Sequence, residues 1–120
     1  MWITNNYVKI LEQIQVLKLD CNISIKPSHI GTDINNKTFS KNLEIIHSTA
    51  TNTNNFVRID MEDSTLIDKT INAYNKRSKI NNNIGIVLQA YLHRTENDLR
   101  ELENNCNIRL CKGIYNEDKK

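Results

Sequence analysis

Two kinds of hydrophobic pattern alternate along this sequence, and their order constrains the fold more than any other feature. Apolar residues spaced three and four apart predict amphipathic helices, and short apolar runs predict strands. The order is helix, strand, helix, strand, repeated to the end of the chain. The predicted helices are residues 3–19 and segments around Leu43 to Ala50, Ile67 to Tyr74 and Leu99 to Leu102, and the predicted strands are 21–26, 56–60, 84–91 and 107–113.

This alternation is typical of parallel strands joined by crossover helices, either in an open doubly wound sheet or in part of a (β/α)8 barrel. The third strand, IGIVLQAY, is continuously apolar, as expected of a strand buried on both faces. No Gly-x-Gly-x-x-Gly turn follows a strand, which argues against a dinucleotide-binding fold. A whole barrel takes about 250 residues, and this chain has 120. The predicted fold class is therefore α/β, a partial (β/α)8 barrel with four parallel strands.

Composition excludes several classes of protein. The 38% hydrophobic and 25% charged residues are typical of a globular domain. A net charge of +2 without a basic run argues against a nucleic-acid partner. No apolar segment reaches the roughly 18 residues of a membrane span. Three cysteines without metal-ligand spacing predict free thiols in a reducing cytoplasm, with Cys21 and Cys111 buried, and no metal site. His47 is predicted to be a core histidine.

A polar side chain lies at or near the end of each predicted strand. Lys26 ends the first strand, Asp60 the second, and Gln89 lies near the end of the third. Arg109 lies within the fourth, close to Lys112. Because the carboxyl ends of parallel barrel strands meet at one face, we expect these groups to surround one pocket. Such a pocket could bind an anionic small molecule or hold the polar edges of a planar cofactor.

Each of these residues also has a structural explanation. Lys26 could be a solvated strand end, and Asp60 could pair with Arg58 or cap the next helix. Glu62 and Asp63 are expected to be first-turn acids, which are favourable near a helix N-terminus, and either Asp63 or Ser64 is the candidate cap. A buried amide near a strand end needs partners and is harder to explain in this way. The four strand ends together favour a site.

Four segments at these strand ends resemble, in order and spacing, motifs of the proline dehydrogenase family. They are NISIKPSHIG (22–31), FVRIDMED (56–63), GIVLQAYLHRT (85–95) and IRLCKGIY (108–115). Members of that family are FAD-dependent distorted (β/α)8 barrels that oxidise L-proline to 1-pyrroline-5-carboxylate. The resemblance implies that residues 1–120 are a central fragment of such a barrel domain, incomplete at both ends. The isolated chain is then expected to be inactive or nearly so.

The resemblance also implies roles for individual residues. Lys26 matches the lysine that attracts the proline carboxylate, and Asp60 matches the active-site aspartate that pairs with that lysine. Arg109 matches an arginine near the reactive edge of the isoalloxazine. The positions that match flavin contacts are Met61, Gln89, Lys112, Gly113 and Ile114, the last of which stands where many relatives have alanine.

The implied partners are L-proline, FAD and a membrane quinone as electron acceptor. They place the protein in the cytoplasm, with transient membrane-surface contact peripheral to the inner membrane. The family's final helix, with paired arginines that clamp the substrate carboxylate, has no counterpart in this chain, which leaves Lys26 as the carboxylate contact. Two unpaired sheet edges predict self-association.

Two other hypotheses remain open at this point. One is a different barrel enzyme, such as a Schiff-base lyase that uses Lys26 or Lys112. The other is a small non-catalytic α/β module that serves in binding or assembly.

Overall fold

Helices and strands alternate along the chain as the hydrophobic pattern predicts. The structure is a computed structural model, and it describes residues 1–103 and 105–117. Short 3-10 turns precede α2 and α3. The elements are α1 (Trp2–Val16), β1 (Ile23–Ile25), α2 (Asn36–Asn52), β2 (Val57–Ile59), α3 (Ile67–Ser78), β3 (Ile84–Gln89), α4 (Thr95–Glu101) and β4 (Ile108–Cys111), with the turns at Pro27–Ile30 and Ser64–Leu66.

The strands form one parallel sheet in the order β1-β2-β3-β4. A doubly wound sheet reverses its strand order at a switch point, whereas a barrel adds each new strand beside the previous one. The sequential order observed here is that of a barrel segment. The prediction of an α/β fold with four parallel strands is confirmed among the described residues.

The register of the sheet separates its residues onto two faces. Ile25, Ile59 and Ile86 lie on the face that packs against the helices, and all three are fully buried. The opposite face carries Arg58 and Gly85, which are aligned in neighbouring strands. In a barrel this second face would line the interior. Because side chains alternate along a strand, Lys26, Asp60, Gln89 and Cys111 continue that interior face toward the carboxyl ends.

Local signals explain where several elements begin and end. Asn35 caps α2, since its Oδ1 accepts a hydrogen bond of 2.8 Å from the Thr38 amide. Asp63 accepts one of 2.9 Å from the Thr65 amide, which confirms it as the cap of the turn before α3. Helix α1 ends at Val16 rather than at residue 19, because the chain turns at Lys18 with a left-handed φ of 53°.

Two predictions about buried residues have different outcomes. His47 is completely buried in α2, so it is a core histidine as predicted. Cys21 is exposed, contrary to the prediction, because β1 begins only at Ile23 and leaves the thiol in the preceding loop. Cys111 is half-buried, and both thiols are free. No helix in the described part of the chain is long and apolar enough to cross a membrane.

Candidate functional site

The carboxyl ends of the strands surround an open cavity of about 240 Å³ on the interior face of the sheet. Six of the eight predicted site residues line it, while Arg109 and Lys112 do not. The other three lining residues are not predicted as site residues from the sequence. The full lining is Lys26, Asp60, Met61, Val87, Gln89, Cys111, Gly113, Ile114 and Tyr115.

Asp60 is half-buried and lies in a field of mixed charge. Burial raises the pKa of its carboxyl group, and Glu62 raises it further. Arg109, Lys26 and Arg58 act in the opposite direction and lower that pKa. No ion pair within 4.0 Å joins Asp60 to Lys26 in the part of the chain described, so the expected pairing is not a direct contact here. The Asp60 amide donates to the Ile25 carbonyl at 2.9 Å, which fixes the backbone at this strand end.

Glu62 has a different role from the one expected. It does not lie in the first turn of a helix, because α3 begins only at Ile67. Its carboxylate accepts two hydrogen bonds from Ser28, one from the amide at 2.7 Å and one from the hydroxyl at 2.6 Å. No sequence pattern indicates this contact, because the two residues are 34 positions apart and each resembles an ordinary loop residue.

Gln89 is a nearly buried amide whose side-chain oxygen has no partner among the described residues. Its side chain is at the end of β3, and the residue is 4% exposed. The amide Nε2 donates to the Glu62 carbonyl at 2.8 Å. Among the described residues this is its side chain's only hydrogen bond, which leaves Oε1 available to a ligand in the cavity. At the open cavity, water can satisfy this oxygen until a ligand replaces it.

The loop after β4 is held against the loop after β3. The Tyr91 amide donates to the Lys112 carbonyl at 3.0 Å, and the Tyr91 hydroxyl donates to the Tyr115 carbonyl at 2.9 Å. Gly113 has a left-handed φ of 101°, and a Cβ atom there would lie 2.0 Å from the Tyr91 ring. Glycine is therefore favoured at this position, and another residue would displace the loop. The loop presents Ile114, which is 86% exposed, at the rim of the cavity.

The two arginines of the interior face lie below the cavity. Arg58 extends across Gly85 and donates from Nη2 to the Asn107 side-chain oxygen at 2.6 Å. It is therefore occupied in linking β2 to the start of β4, and it is not paired with Asp60. Arg109 is exposed and aligned with Val87 of β3. Its positive charge lowers the pKa of the Asp60 carboxyl group from a distance, without a direct contact between the two side chains.

Comparison with known proteins identifies relatives over almost the whole chain. The sequence profile of the family described as "Proline dehydrogenase" matches residues 3–118. "Proline dehydrogenase 2" of Bacillus subtilis (strain 168) is 34% identical over 118 residues, which are 98% of this chain and 39% of that protein. "Proline dehydrogenase 1" of the same strain is 33% identical over 110 residues, 91% of this chain and 36% of that protein. A Deinococcus radiodurans "Proline dehydrogenase" is 31% identical, over 94% of this chain and 38% of that protein.

A solved structure has the same fold. The crystal structure of proline utilization A (PutA) from Bdellovibrio bacteriovorus, inactivated by N-propargylglycine, superposes with a TM-score of 0.81 and 18% identity. The match covers 92% of this chain and 15% of that chain. At this identity the likeness concerns the fold alone, and it confirms a partial barrel.

Proposed function

Because the chain belongs to the proline dehydrogenase family, we propose that it supplies the central part of the barrel of an enzyme that oxidises L-proline to 1-pyrroline-5-carboxylate with FAD. The chain spans 39% of the length of the Bacillus subtilis relative, so the activity is proposed for a longer polypeptide that contains this segment. One observation carries the proposal. A single cavity combines charged groups, Lys26 and Asp60, with a buried amide and a glycine-containing loop.

The charged wall of the cavity suits the substrate. Lys26 is exposed at the cavity and free of ion pairs among the described residues, so its ammonium group can attract the carboxylate of L-proline. Asp60 supplies the opposite charge beside it and favours one position of the flexible lysine side chain. A lysine gives a point charge without the bidentate geometry of arginine. We therefore propose that arginines outside this chain complete the carboxylate site.

The remaining residues that line the cavity suit a planar ring with polar edges. Gln89 offers its free Oε1, while Met61, Val87 and Ile114 give an apolar surface. We propose that Met61, Gln89, Gly113 and Ile114 contact the flavin, with Lys112 in the same loop and Arg109 below. When bound, FAD supplies the two-electron oxidation. The residues of this chain hold L-proline in the reactive orientation, an effect that can supply on the order of 7–11 kcal/mol of the barrier.

Further partners follow from the family alone. We propose a membrane quinone as the electron acceptor, and hence a cytoplasmic protein with transient contact at the inner membrane surface. We also propose that the isolated chain self-associates. The strands β1 and β4 are the two edges of the sheet, and Leu110 on β4 is 64% exposed. Exposed strand edges that carry apolar side chains favour pairing with another chain.

The proposal can be tested by transplanting the segment. Residues 22–115 would replace the aligned segment of the Bacillus subtilis "Proline dehydrogenase 2", and flavin absorbance would be followed after anaerobic addition of L-proline. We expect the flavin of this chimera to be reduced, and Asp60→Asn to abolish most of the reduction. Asp63→Asn, a matched loss of charge three residues later, should retain it.

Two results would contradict the proposal. One is a chimera that binds FAD and is not reduced by L-proline. The other is covalent trapping of a carbonyl compound on Lys26 by borohydride, which would favour Schiff-base chemistry. The isolated 120-residue chain should retain little FAD and show no reduction.

A further inference from the structure

We propose that Glu62 is a positioning residue, which joins the turn after β1 to the turn after β2 and thereby sets Lys26 against Asp60. Its relevance to catalysis rests on the proposed function, whereas the contact itself does not. Ser28 lies two residues after Lys26, and Glu62 lies two residues after Asp60. The Ser28–Glu62 contact is therefore made immediately beyond the two charged residues of the cavity.

The geometry of this contact restricts both turns. One Glu62 oxygen accepts from the Ser28 amide at 2.7 Å and the other from the Ser28 hydroxyl at 2.6 Å. Ser28 is in the first part of the 3-10 turn Pro27–Ile30, where amide groups have no acceptor within the turn. Glu62 thus caps that turn from a different segment of the chain. Hydrogen bonds to a carboxylate are roughly twice as strong as neutral ones.

The same residue is also held by a third strand. Gln89 of β3 donates from Nε2 to the Glu62 carbonyl at 2.8 Å. Glu62 is therefore linked to the carboxyl ends of β1 and β3 while it follows β2 in sequence. The link reaches three neighbouring strands at the face where the cavity lies.

Lys26 depends on this arrangement because no ion pair within the described residues holds its ammonium group. Its position follows from the backbone of the turn, where Lys26 has extended φ and ψ of −96° and 128°. If Glu62 no longer held Ser28, the turn and Lys26 could shift relative to Asp60. A displacement of about 1 Å in such a site can lower a reaction rate about a hundredfold.

The test uses the full chain, labelled with ¹⁵N and ¹³C, and needs neither FAD nor proline. In the unsubstituted protein, the Ser28 amide should be protected from hydrogen exchange by its bond to Glu62, and nuclear Overhauser contacts should connect Lys26 with Asp60 or Met61. Glu62→Ala should abolish the protection and the contacts. Asp63→Asn removes the charge of the next residue, whose carboxylate bonds within its own turn among the described residues, and should preserve both signals.

Ser28→Ala provides a second variant, because it removes one donor and leaves the Glu62 charge in place. It should raise the measured pKa of Asp60, since the favourable field of Lys26 is lost from a loosened turn. Unchanged Lys26 contacts in a folded Glu62→Ala protein would overturn the proposal. So would loss of spectral dispersion in both variants while Asp63→Asn stays folded, because the contact would then be required for folding and not for positioning.

The two proposals fail in different ways. A chimera that is not reduced by L-proline removes the proposed function and leaves the magnetic-resonance result intact. Lost protection of the Ser28 amide with unchanged Lys26 contacts removes the positioning role and leaves the proposed function intact.

Discussion

The two ends of the same sheet are built differently. At the amino ends of the strands, a buried histidine has a partner on each ring nitrogen: the His47 ring lies between Arg77 and Asn83, with distances of 3.0 Å from Arg77 Nε to Nδ1 and 2.7 Å from Nε2 to the Asn83 side-chain oxygen. Asn83 also donates to the Asn55 carbonyl at 2.9 Å. At the carboxyl ends, Lys26 has no ion pair among the described residues and Gln89 has a free acceptor.

The difference indicates a division of labour between the ends. In barrels, the amino-terminal face contributes stability and the carboxyl-terminal face carries the active site. A hydrogen-bonded network around a buried histidine at one end and a cavity lined by charged groups at the other match that division. Substitutions at the amino end should therefore change stability, and substitutions at the carboxyl end should change activity.

The largest effect is expected for Asp60→Asn in the chimera. Removing its charge should lower the rate of flavin reduction by L-proline by about a hundredfold, since Lys26 is then no longer oriented. Stability should not fall, because burial disfavours the ionised form of Asp60. Stopped-flow absorbance and urea unfolding of the same samples separate the two effects. If the less active variant also unfolded more easily, Asp60 would contribute to stability as well as to activity, contrary to the proposed difference between the ends.

Asn83→Ala should lower stability and leave activity unchanged, the reverse of what is expected for Asp60→Asn. It removes the acceptor of His47 Nε2 and the donor to Asn55, and leaving such groups unpaired costs about 2–3 kcal/mol. The measurement is the free energy of unfolding in urea. Asn82→Ala, at the exposed neighbouring position, is the matched control and should be neutral. Equal losses in the two variants would show that the network contributes nothing.

The two ends should also differ in the sign of their pH dependence. Because Arg77 donates to Nδ1, His47 is held neutral with its proton on Nε2, and burial lowers its pKa below the ordinary value of 6.5. As the pH falls, His47 therefore binds a proton in the unfolded chain before it does in the folded one. Stability should then fall as pH drops below 6.5. Asp60, whose pKa is raised from 3.8, contributes stability at low pH that is lost as pH rises through its folded pKa.

Unfolding experiments from pH 7.5 to 5, approximately the range in which an ordinary histidine titrates, test the first sign. His47→Gln should remove the dependence, while His93→Gln, which changes an exposed histidine, should keep it. If the stability of His47→Gln still falls as the pH drops, a group other than His47 causes the dependence.

The smallest effect is expected for Gly113→Ala. The left-handed backbone and the contact with the Tyr91 ring should cost about 1 kcal/mol or somewhat more of unfolding free energy. The displaced loop should also weaken FAD binding in the chimera. Ile114→Ala, at a largely exposed neighbour, should leave the unfolding free energy unchanged. Thermal and urea unfolding provide the measurement, and no loss in Gly113→Ala would show that the loop moves freely.

Much of this architecture can be predicted from the sequence, because periodicity and strand-end polarity are local signals. The alternation of helix and strand patterns predicts the parallel sheet, and the polar residues at the ends of the strand patterns identify Lys26, Asp60 and Gln89. The Ser28–Glu62 contact could not be found, since it depends on how two turns approach in space. Lys112 falls outside the cavity lining, because spacing along a strand does not determine where a loop residue points.

The most direct test of the central claim is anaerobic reduction of the chimera's flavin by L-proline, compared with its Asp60→Asn variant. The account predicts rapid reduction in the first and little in the second, with the same FAD content in both. Equal rates in the two proteins would contradict the claim that the strand ends of this chain form the reactive part of the site.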